Sequence, residues 1–144
     1  MTLRKPRILF VEDHDDTRDL IILLLKYQYD VSTASTLHDA LNLIRSGNFN
    51  LFIFDSWLLD GSGIDLCKRV REFDQCTPIL FYSAAAYESD KNLALNSGAQ
   101  AYLVKPVEVA DLLKTIKGLI PERRKTGRSA ERSERVRRQE STIE

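Results

Sequence analysis

The sequence predicts a small doubly wound α/β domain, in which a parallel sheet is covered by helices on both faces. Short apolar runs of strand length alternate along the chain with segments of helical period. Three of these runs are apolar at successive positions, which is typical of strands buried on both faces of a parallel sheet. Five strand–helix units follow one another within the first 120 residues, and crossovers of this length are right-handed.

Five segments are predicted as strands. The runs RILFV, LFIF and PILFY are short, apolar and rich in aromatic and β-branched residues, whereas DVSTA and AYLV are weaker candidates. In chain order the predicted strands are Arg7–Val11, Asp30–Ala34, Leu51–Phe54, Pro78–Tyr82 and Ala101–Val104. Each of them precedes a segment of helical period.

The segments between the strands place apolar residues three or four positions apart, as helices with one buried face do. The predicted helices lie around Thr17–Tyr27, Leu37–Ile44, Gly63–Phe73, Glu88–Asn96 and Val109–Ile120. Thr36 and Asp39 form a predicted capping pair at the start of the second helix. Gly47, Gly98 and Gly118 lie at or near helix ends, which predicts a left-handed backbone at these positions.

The composition is that of one globular domain followed by a polar tail. Of the 144 residues, 43% are hydrophobic and 29% are charged, proportions that soluble globular domains share. Residues 1–120 form the predicted domain. Residues 121–144 contain only Val136 and Ile143 as sizeable apolar residues, so we expect this tail to be disordered.

The charges balance overall but are unevenly placed. Lys and Arg together number 21, as do Asp and Glu. The tail carries eight basic and five acidic residues, which leaves 13 basic and 16 acidic residues in the predicted domain. Because a mildly acidic domain repels a phosphate backbone, we expect no direct binding of nucleic acid.

The sequence also argues against several classes of protein. Cys67 and Cys76 are too few to staple a chain of this length, and they indicate reduced thiols in a cytoplasmic protein. The longest apolar run, Leu20–Leu25, is far too short to span a membrane. No signal peptide is predicted, because acidic residues follow the first apolar stretch at once and no small-residue cleavage site is present.

The residues that close the predicted strands are the candidate functional residues, because ligands bind doubly wound sheets beyond the carboxyl ends of the strands. Glu12 and Asp13 follow the first strand, and Asp55 follows the third. Ser83 follows the fourth strand and Lys105 the fifth. Taken singly, each also fits an ordinary structural role as a turn former, a helix cap or a solvated charge. The set is more specific, because all of its groups suit one chemistry.

That chemistry is phosphoryl transfer. Three carboxylates at one sheet edge repel each other, and a hard divalent cation such as Mg²⁺ offsets the repulsion while keeping coordination positions for a phosphoryl oxygen. Lys105 adds an ammonium group, and Ser83 adds a hydroxyl. In this hypothesis Asp55 supplies the nucleophilic oxygen, while the metal and Lys105 neutralise charge on the phosphoryl oxygens.

Four segments resemble the response-regulator receiver domain of two-component signalling. They are VEDHDDTR, LFIFDSWLLDGSGIDLCKRVR, PILFYSAAA and GAQAYLVKPVEVADLLKTI, and the resemblance covers about residues 5–120. It implies a flavodoxin-like (βα)5 fold with a five-stranded parallel sheet. It also implies that Asp55 accepts a phosphoryl group from a histidine kinase or a phosphotransfer protein. The chain would then be no enzyme beyond catalysing its own phosphorylation and dephosphorylation.

By this resemblance, Glu12, Asp13 and Asp55 place Mg²⁺ together with the backbone carbonyl of Trp57. Trp57 and Ala85 also match the two positions that tune the lifetime of the phosphoryl group in this family. Two interpretations of the Trp57 indole stay open: an aromatic anchor packed on its loop, or a group that shields the acyl phosphate from water or shapes a partner surface. We hypothesise that the bulky Trp57 slows hydrolysis, while the small Ala85 supplies no acid or amide to position water.

The resemblance also implies a switch. Ser83 matches the hydroxyl that turns towards the phosphoryl group, and Tyr102 matches the aromatic residue that rotates inward with it. Lys105 matches the phosphate-binding lysine of the family. Pro106 matches the proline that typically follows a cis peptide bond.

Three positions depart from the family pattern. Leu59 stands where proline is usual, Ser62 stands where an acidic residue is common, and serine replaces the commoner threonine at position 83. None of these changes removes a reactive group. The loop after the third strand is nevertheless expected to follow a different path.

The leading functional interpretation is a stand-alone switch, because only about two dozen residues follow the domain. An output protein that the sequence does not identify would read the switch on the face that the family builds from the fourth helix, fifth strand and fifth helix. A phosphorelay shuttle, the receiver of a DNA-binding transcriptional regulator and a phosphorylation-dependent homodimer are left open. A third class, a small phosphatase-like or flavin-binding enzyme, is disfavoured. Aspartyl phosphatases usually carry a second acid two residues after the nucleophile, where this chain has Trp57. The acidic loop after the first strand would repel the phosphate of a flavin.

Overall fold

Seven strands form two sheets in the computed structural model, which describes residues 4–120. In chain order they are β1 (Arg7–Val11), β2 (Asp30–Ala34), β3 (Leu51–Phe54), β4 (Trp57–Leu58), β5 (Gly61–Ser62), β6 (Ile79–Ser83) and β7 (Ala101–Val104). Five of them form a parallel sheet in the order β2-β1-β3-β6-β7. The five predicted strands are therefore confirmed, and the tail predicted at 121–144 lies outside the described residues.

Five helices cover the two faces of this sheet, as the doubly wound prediction requires. They are α1 (Asp15–Leu25), α2 (Leu37–Ser46), α3 (Gly63–Arg71), α4 (Glu88–Asn96) and α5 (Val109–Leu119). One hydrophobic cluster joins α2, α3 and α4 to one face, and a second joins α1 and α5 to the other. The predicted helices are confirmed, with ends that differ by no more than about two residues.

Strand β3 shows why its sequence is apolar at every position. Successive side chains of a strand point to opposite faces of the sheet. Accordingly Leu51 and Ile53 join the α1–α5 cluster, whereas Phe52 and Phe54 join the cluster beneath α2 and α3. The Phe54 ring also meets the Phe81 ring of β6 edge to face, with centroids 6.1 Å apart, a favoured aromatic geometry.

The order of the strands reverses between β1 and β3, which makes this point of the carboxyl edge the expected ligand site. The two strands are paired so that Val11 lies beside Phe54. Glu12 and Asp55, the next residues of each strand, therefore leave the sheet side by side. The topology of the sheet alone brings these two carboxylates together.

Local signals in the sequence were partly right. The Thr36 hydroxyl accepts a hydrogen bond from the Asp39 amide at 3.1 Å, which confirms the predicted cap of α2. Gly98 has a left-handed φ of 118° after α4, as predicted. The same prediction is wrong for Gly47, where the chain leaves α2 in an extended conformation, and for Gly118, which lies inside the last turn of α5.

The antiparallel hairpin of β4 and β5 was not predicted, and it follows the phosphoacceptor candidate Asp55 directly. Strands of two residues are too short for any periodicity to reveal them. Within residues 4–120, no helix combines the length and the apolar character that crossing a membrane requires.

We expect Ile53→Ala to lower the free energy of unfolding by about 2 to 5 kcal/mol, because it opens a cavity in the central strand of the sheet. Leu20→Ala is the matched control, since this side chain is exposed on α1 and its truncation should change stability by no more than about 0.5 kcal/mol. Urea unfolding followed by circular dichroism measures both. Equal losses in the two variants would contradict the buried position of Ile53.

Candidate functional site

Three carboxylates meet at the carboxyl edge of the sheet. Glu12, Asp13 and Asp55 each offer one oxygen, and these oxygens all lie within 4.8 Å of one another. Glu12 is only 1% exposed, whereas Asp13 and Asp55 are half-buried. The cluster is therefore open to solvent on one side and walled by protein on the other.

Lys105 supplies the positive charge nearest to the cluster. Its ammonium group donates to Glu12 Oε1 and lies 3.8 Å from Asp55 Oδ1. It also lies 5.2 Å from the centroid of the Tyr82 ring, a cation–π distance. The peptide bond that follows Lys105, to Pro106, is cis.

The electrostatics of the cluster are not balanced by this one ammonium group. Burial raises the pKa of Glu12 above its ordinary value of 4.5, and the neighbouring Asp55 raises it further. Lys105 acts in the opposite direction but does not reverse the shift. The folded protein therefore disfavours the charge on Glu12, and further positive charge at this edge would be stabilising.

The donor set fits Mg²⁺. This cation prefers octahedral oxygen ligands at about 2.1 Å, so ligand oxygens on one ion lie about 3 Å apart when adjacent and about 4.2 Å apart when opposite. Oxygens of Glu12, Asp13 and Asp55 all lie within 4.8 Å of one another, which is close enough for them to converge on one ion. Charge, ligand type and spacing all suit the ion.

The backbone around Asp55 is fixed by a close approach to Gly63. A Cβ atom added to Gly63 would lie 2.1 Å from the Asp55 carbonyl oxygen and 2.9 Å from the Phe81 ring. Only glycine fits there. The amide of Gly63 also donates to the Ser56 carbonyl at 2.9 Å, so the two ends of the segment from Ser56 to Ser62 are held together.

The Asp55 side chain is oriented by its own neighbour. Its Oδ1 accepts a hydrogen bond from the Ser56 amide at 2.8 Å. The Asp55 amide in turn donates to the Val11 carbonyl at 3.0 Å. The carboxylate is therefore held on the strand end that faces Glu12.

Ser83 and Tyr102 share a hydrogen-bond partner, Ala85. The Ser83 hydroxyl is 1% exposed and accepts a hydrogen bond from the Ala85 amide at 3.1 Å. The Tyr102 hydroxyl donates to the Ala85 carbonyl at 2.7 Å, and the Tyr102 ring stacks on Phe81 with centroids 5.9 Å apart. The backbone of Ala85 thus links the two residues that the resemblance assigns to the switch.

The Trp57 side chain is not a packed anchor. It is 70% exposed, and Leu59 at the tip of the same hairpin is 74% exposed. Leu58 between them is buried in the core. The first of the two interpretations of Trp57 is therefore wrong, because the β4 strand directs Leu58 inward and its neighbours outward.

Two further residues belong to this region and were not singled out from the sequence. Arg18 donates to the backbone carbonyl of Glu12 at 2.6 Å and pairs with Asp15, which holds the loop between β1 and α1. Desolvation tends to raise the pKa of Asp60, but hydrogen bonds from the amides of His38 and Leu37 outweigh it and lower that pKa below its ordinary value. Neither residue closes a predicted strand, so neither carried a signal.

The family can be assigned from comparison with known proteins. Residues 8–117 match the family described as the response regulator receiver domain. The chain belongs to this family. It is 36% identical over 124 residues to a Picosynechococcus sp. protein named as a probable transcriptional regulatory protein, and 30% identical over 131 residues to the transcriptional regulatory protein TrcR of Mycobacterium tuberculosis.

These matches cover 81% and 90% of this chain but only 49% and 51% of the relatives, so the chain spans about half the length of the curated relatives it matches. Among solved structures, a CheY-like receiver domain protein from Methanospirillum hungatei superposes with a TM-score of 0.77 at 32% identity. That match covers 81% of this chain and 94% of the other. The flavodoxin-like (βα)5 fold of a receiver domain is confirmed.

Membership of the family gives the acidic cluster a context. Receiver domains pair with histidine kinases and generally bind Mg²⁺ at an acidic pocket. In this chain the corresponding acidic group is Glu12, Asp13 and Asp55. The roles predicted for the individual residues of this receiver domain remain predictions.

We expect Glu12→Gln to raise the free energy of unfolding at pH 7 in a chelating buffer, by on the order of 1 kcal/mol. The variant removes one of three clustered charges but keeps an oxygen that accepts from Lys105. Because folding raises the pKa of Glu12, the wild-type protein gains stability as the pH falls from 7 towards 4.5, and the difference between the two proteins should narrow.

Urea unfolding at several pH values measures this difference. Asp19→Asn, at an exposed position of α1, is the matched control and should leave stability nearly unchanged. A Glu12→Gln variant less stable than wild type at pH 7 would mean that the ion pair with Lys105 outweighs burial and repulsion.

Proposed function

We propose that this receiver domain accepts a phosphoryl group on Asp55 from a phosphohistidine of a histidine kinase or phosphotransfer protein, and that the reaction depends on Mg²⁺. The phosphorylated form would then bind a different partner. The observation that carries the proposal is the position of the Asp55 carboxylate, which has an oxygen within 4.8 Å of oxygens of Glu12 and Asp13 and lies 3.8 Å from the Lys105 ammonium group. A nucleophile, cation-binding oxygens and a phosphate-binding cation share one site.

The proposed transfer is a displacement at phosphorus. A carboxylate oxygen of Asp55 attacks the phosphorus atom, and an O–P bond forms as the N–P bond to the donor imidazole breaks. The imidazole nitrogen keeps the electron pair of the broken bond. In dephosphorylation the oxygen of a water molecule attacks the same phosphorus atom as the O–P bond to Asp55 breaks. The carboxylate oxygen keeps the electron pair, a proton of the water passes to the solvent, and inorganic phosphate leaves.

The residues around Asp55 divide the remaining work. Glu12 and Asp13, with Asp55 and the backbone carbonyl of Trp57, would hold Mg²⁺, whose charge offsets that of the phosphoryl oxygens. Lys105 would bind a phosphoryl oxygen, because its ammonium group already lies 3.8 Å from Asp55 Oδ1.

The proposed switch begins at Ser83. Its hydroxyl would turn from the Ala85 amide towards a phosphoryl oxygen, since a charged acceptor attracts a hydroxyl more strongly than a neutral amide does. Tyr102, half-buried against Phe81, would move inward with it. Phosphorylation then shifts the population between two states of one fold.

The output face would be the surface of α4, β7 and α5. Large apolar side chains are exposed on all three elements or at their ends: Tyr87, Leu93, Val104 and Val109. A patch of this kind is typical of a surface that binds another protein. It suits an output protein, and it also suits a second copy of the chain if phosphorylation drives dimerisation.

The donor would dock along α1. Leu20 and Leu23 are exposed on one side of this helix, since residues three apart share a helix face, and Tyr27 is exposed two residues beyond its end. The helix begins at Asp15, three residues after Glu12. A donor seated on this stripe would bring its imidazole to the acidic edge.

A second candidate is the receiver of a transcriptional regulator. It is favoured by the names of the curated relatives and by the half of their length that the chain spans. In that case phosphorylation would control DNA binding by another part of the protein, while this domain itself would not bind nucleic acid. An immunoblot of the native host separates the candidates, because a species of 16.5 kDa supports the stand-alone switch and a longer species supports the regulator.

The proposal includes no separate enzymatic activity. A relay role would differ only in that the phosphoryl group passes from Asp55 to a further protein.

We also propose a cytoplasmic location, because Cys67, which is buried, and Cys76, which is exposed, are both unpaired thiols, as is usual in a reducing compartment.

We expect the protein to gain the mass of one phosphoryl group when it is incubated with acetyl phosphate and Mg²⁺, and Asp55→Asn to abolish the gain, because an amide is a poor nucleophile. Intact-protein mass spectrometry measures it. Asp65→Asn, at an exposed position of α3, is the matched control and should be modified normally. Modification of Asp55→Asn, or full modification in the presence of excess chelator, would refute the acceptor or the metal dependence.

We expect Trp57→Asn to shorten the half-life of the phosphorylated protein several-fold, because the amide can position a water molecule that the indole keeps away. Leu59→Asn is the matched control, since this side chain is equally exposed on the same hairpin. Phosphate release at constant Mg²⁺ gives the rate. An unchanged rate in Trp57→Asn, or the same acceleration in both variants, would contradict the shielding hypothesis.

A further inference from the structure

Asp60, at the tip of the β4–β5 hairpin, is bound to the start of a distant helix. Its Oδ1 accepts a hydrogen bond from the Leu37 amide at 2.6 Å, and its Oδ2 accepts one from the His38 amide at 3.0 Å. These are the first two residues of α2. Both oxygens of one carboxylate are therefore used, at the helix end where a negative charge is most favourable.

This contact is not the ordinary cap of α2. The ordinary cap is already present, because Thr36 accepts from the Asp39 amide at 3.1 Å. Capping residues normally satisfy the first amides of a helix from the adjoining chain. Asp60 instead reaches them across 22 and 23 positions of sequence, so it joins two separate parts of the fold.

The rest of the hairpin packs against the same helix end. Leu58 and Leu37 are both buried in one hydrophobic cluster. A Cβ atom on Gly61 would lie 3.1 Å from the Leu37 side chain. The hairpin tip is thus fixed to α2, whereas its base is fixed where Gly63 approaches the Asp55 carbonyl.

Trp57 lies between these two fixed points. Its side chain is 70% exposed, so packing against the core does little to hold it. The direction of its backbone carbonyl therefore depends on how firmly the hairpin is held at both ends.

We propose that Asp60 is a positioning residue for the metal site, and that its tether to α2 holds the hairpin so that the Trp57 carbonyl completes the ligand set of Glu12, Asp13 and Asp55. The inference rests on the proposed function, because it takes the Trp57 carbonyl as a Mg²⁺ ligand. It assigns Asp60 no contact with the ion. Its role is comparable to that of the outer residues that orient the ligands of other metal sites.

Titration calorimetry of the full chain with MgCl₂ tests the proposal. Asp60→Ala should raise the dissociation constant for Mg²⁺ roughly tenfold, the lower end of the effect seen when outer residues of metal sites are removed. Asp60→Asn should raise it less, because the amide oxygen still accepts one of the two hydrogen bonds. Asp60→Asn also carries the test if Asp60→Ala does not fold.

Thr36→Ala is the matched control, because it weakens the same end of α2 without touching the hairpin. It should lower the urea midpoint, as Asp60→Ala does, but leave Mg²⁺ affinity unchanged. An equal loss of affinity in Thr36→Ala would overturn the proposal in favour of a general role in α2 stability. Equal losses in Asp60→Ala and Asp60→Asn would also overturn it, since both remove one charge and the effect would be electrostatic.

Unchanged affinity in Asp60→Ala overturns this inference alone. Failure of the proposed function is distinguished by two further arms, the wild-type protein and Asp13→Asn. If the wild-type protein binds no Mg²⁺, or Asp13→Asn binds it as tightly as wild type, the metal site itself is wrong and the inference falls with it.

Discussion

Repulsion among three carboxylates is the constraint that the rest of this fold has to offset. Bringing oxygens of Glu12, Asp13 and Asp55 within 4.8 Å of one another opposes folding, because charges interact more strongly where protein replaces water. Burial adds to this cost, and burial together with the neighbouring Asp55 keeps the pKa of Glu12 raised despite its ion pair with Lys105. The buried apolar residues of β1 and β3, directly beneath the acids, must supply the remaining stability.

A cluster of carboxylates that repel one another is also a cluster whose stability changes when a cation binds. Any cation bound only by the folded protein stabilises it by mass action, and here it relieves a cost that folding has already incurred. The response is useful only if the carboxylates cannot drift apart. The pairing of Val11 with Phe54 prevents this for Glu12 and Asp55, and the contact of Gly63 with the Asp55 carbonyl fixes the backbone beyond it. The rigid backbone therefore keeps the carboxylates close enough to repel one another, and a bound cation can relieve that repulsion.

The sequence predicted the sheet and the acidic edge for the same reason. A strand buried on both faces, such as β3, must be apolar throughout, so its end and the polar residue after it are conspicuous. The hairpin was not predicted, because the contact that holds it joins Asp60 to the start of α2 across more than 20 positions. Such a long-range contact produces no periodic pattern in the sequence. The exposure of Trp57 escaped prediction for the same reason, because the hairpin decides where the indole points. The prediction for Gly118 was wrong because a glycine is typical of helix ends but does not show whether the helix continues through that position.

In the proposed switch, the acidic edge is linked to the output face through one small residue, Ala85. Ala85 donates to the Ser83 hydroxyl and accepts from the Tyr102 hydroxyl, so a hydroxyl that turns towards Asp55 gives up one bond and releases the backbone that holds the other. Each of these two hydrogen bonds contributes about 1 kcal/mol. The attraction between a charged phosphoryl group and the Ser83 hydroxyl can outweigh that contribution. Helix α4 begins at Glu88, three residues further on. In the proposed switch, the weakness of these two bonds is what allows a local change at Asp55 to reach a surface that a partner can bind.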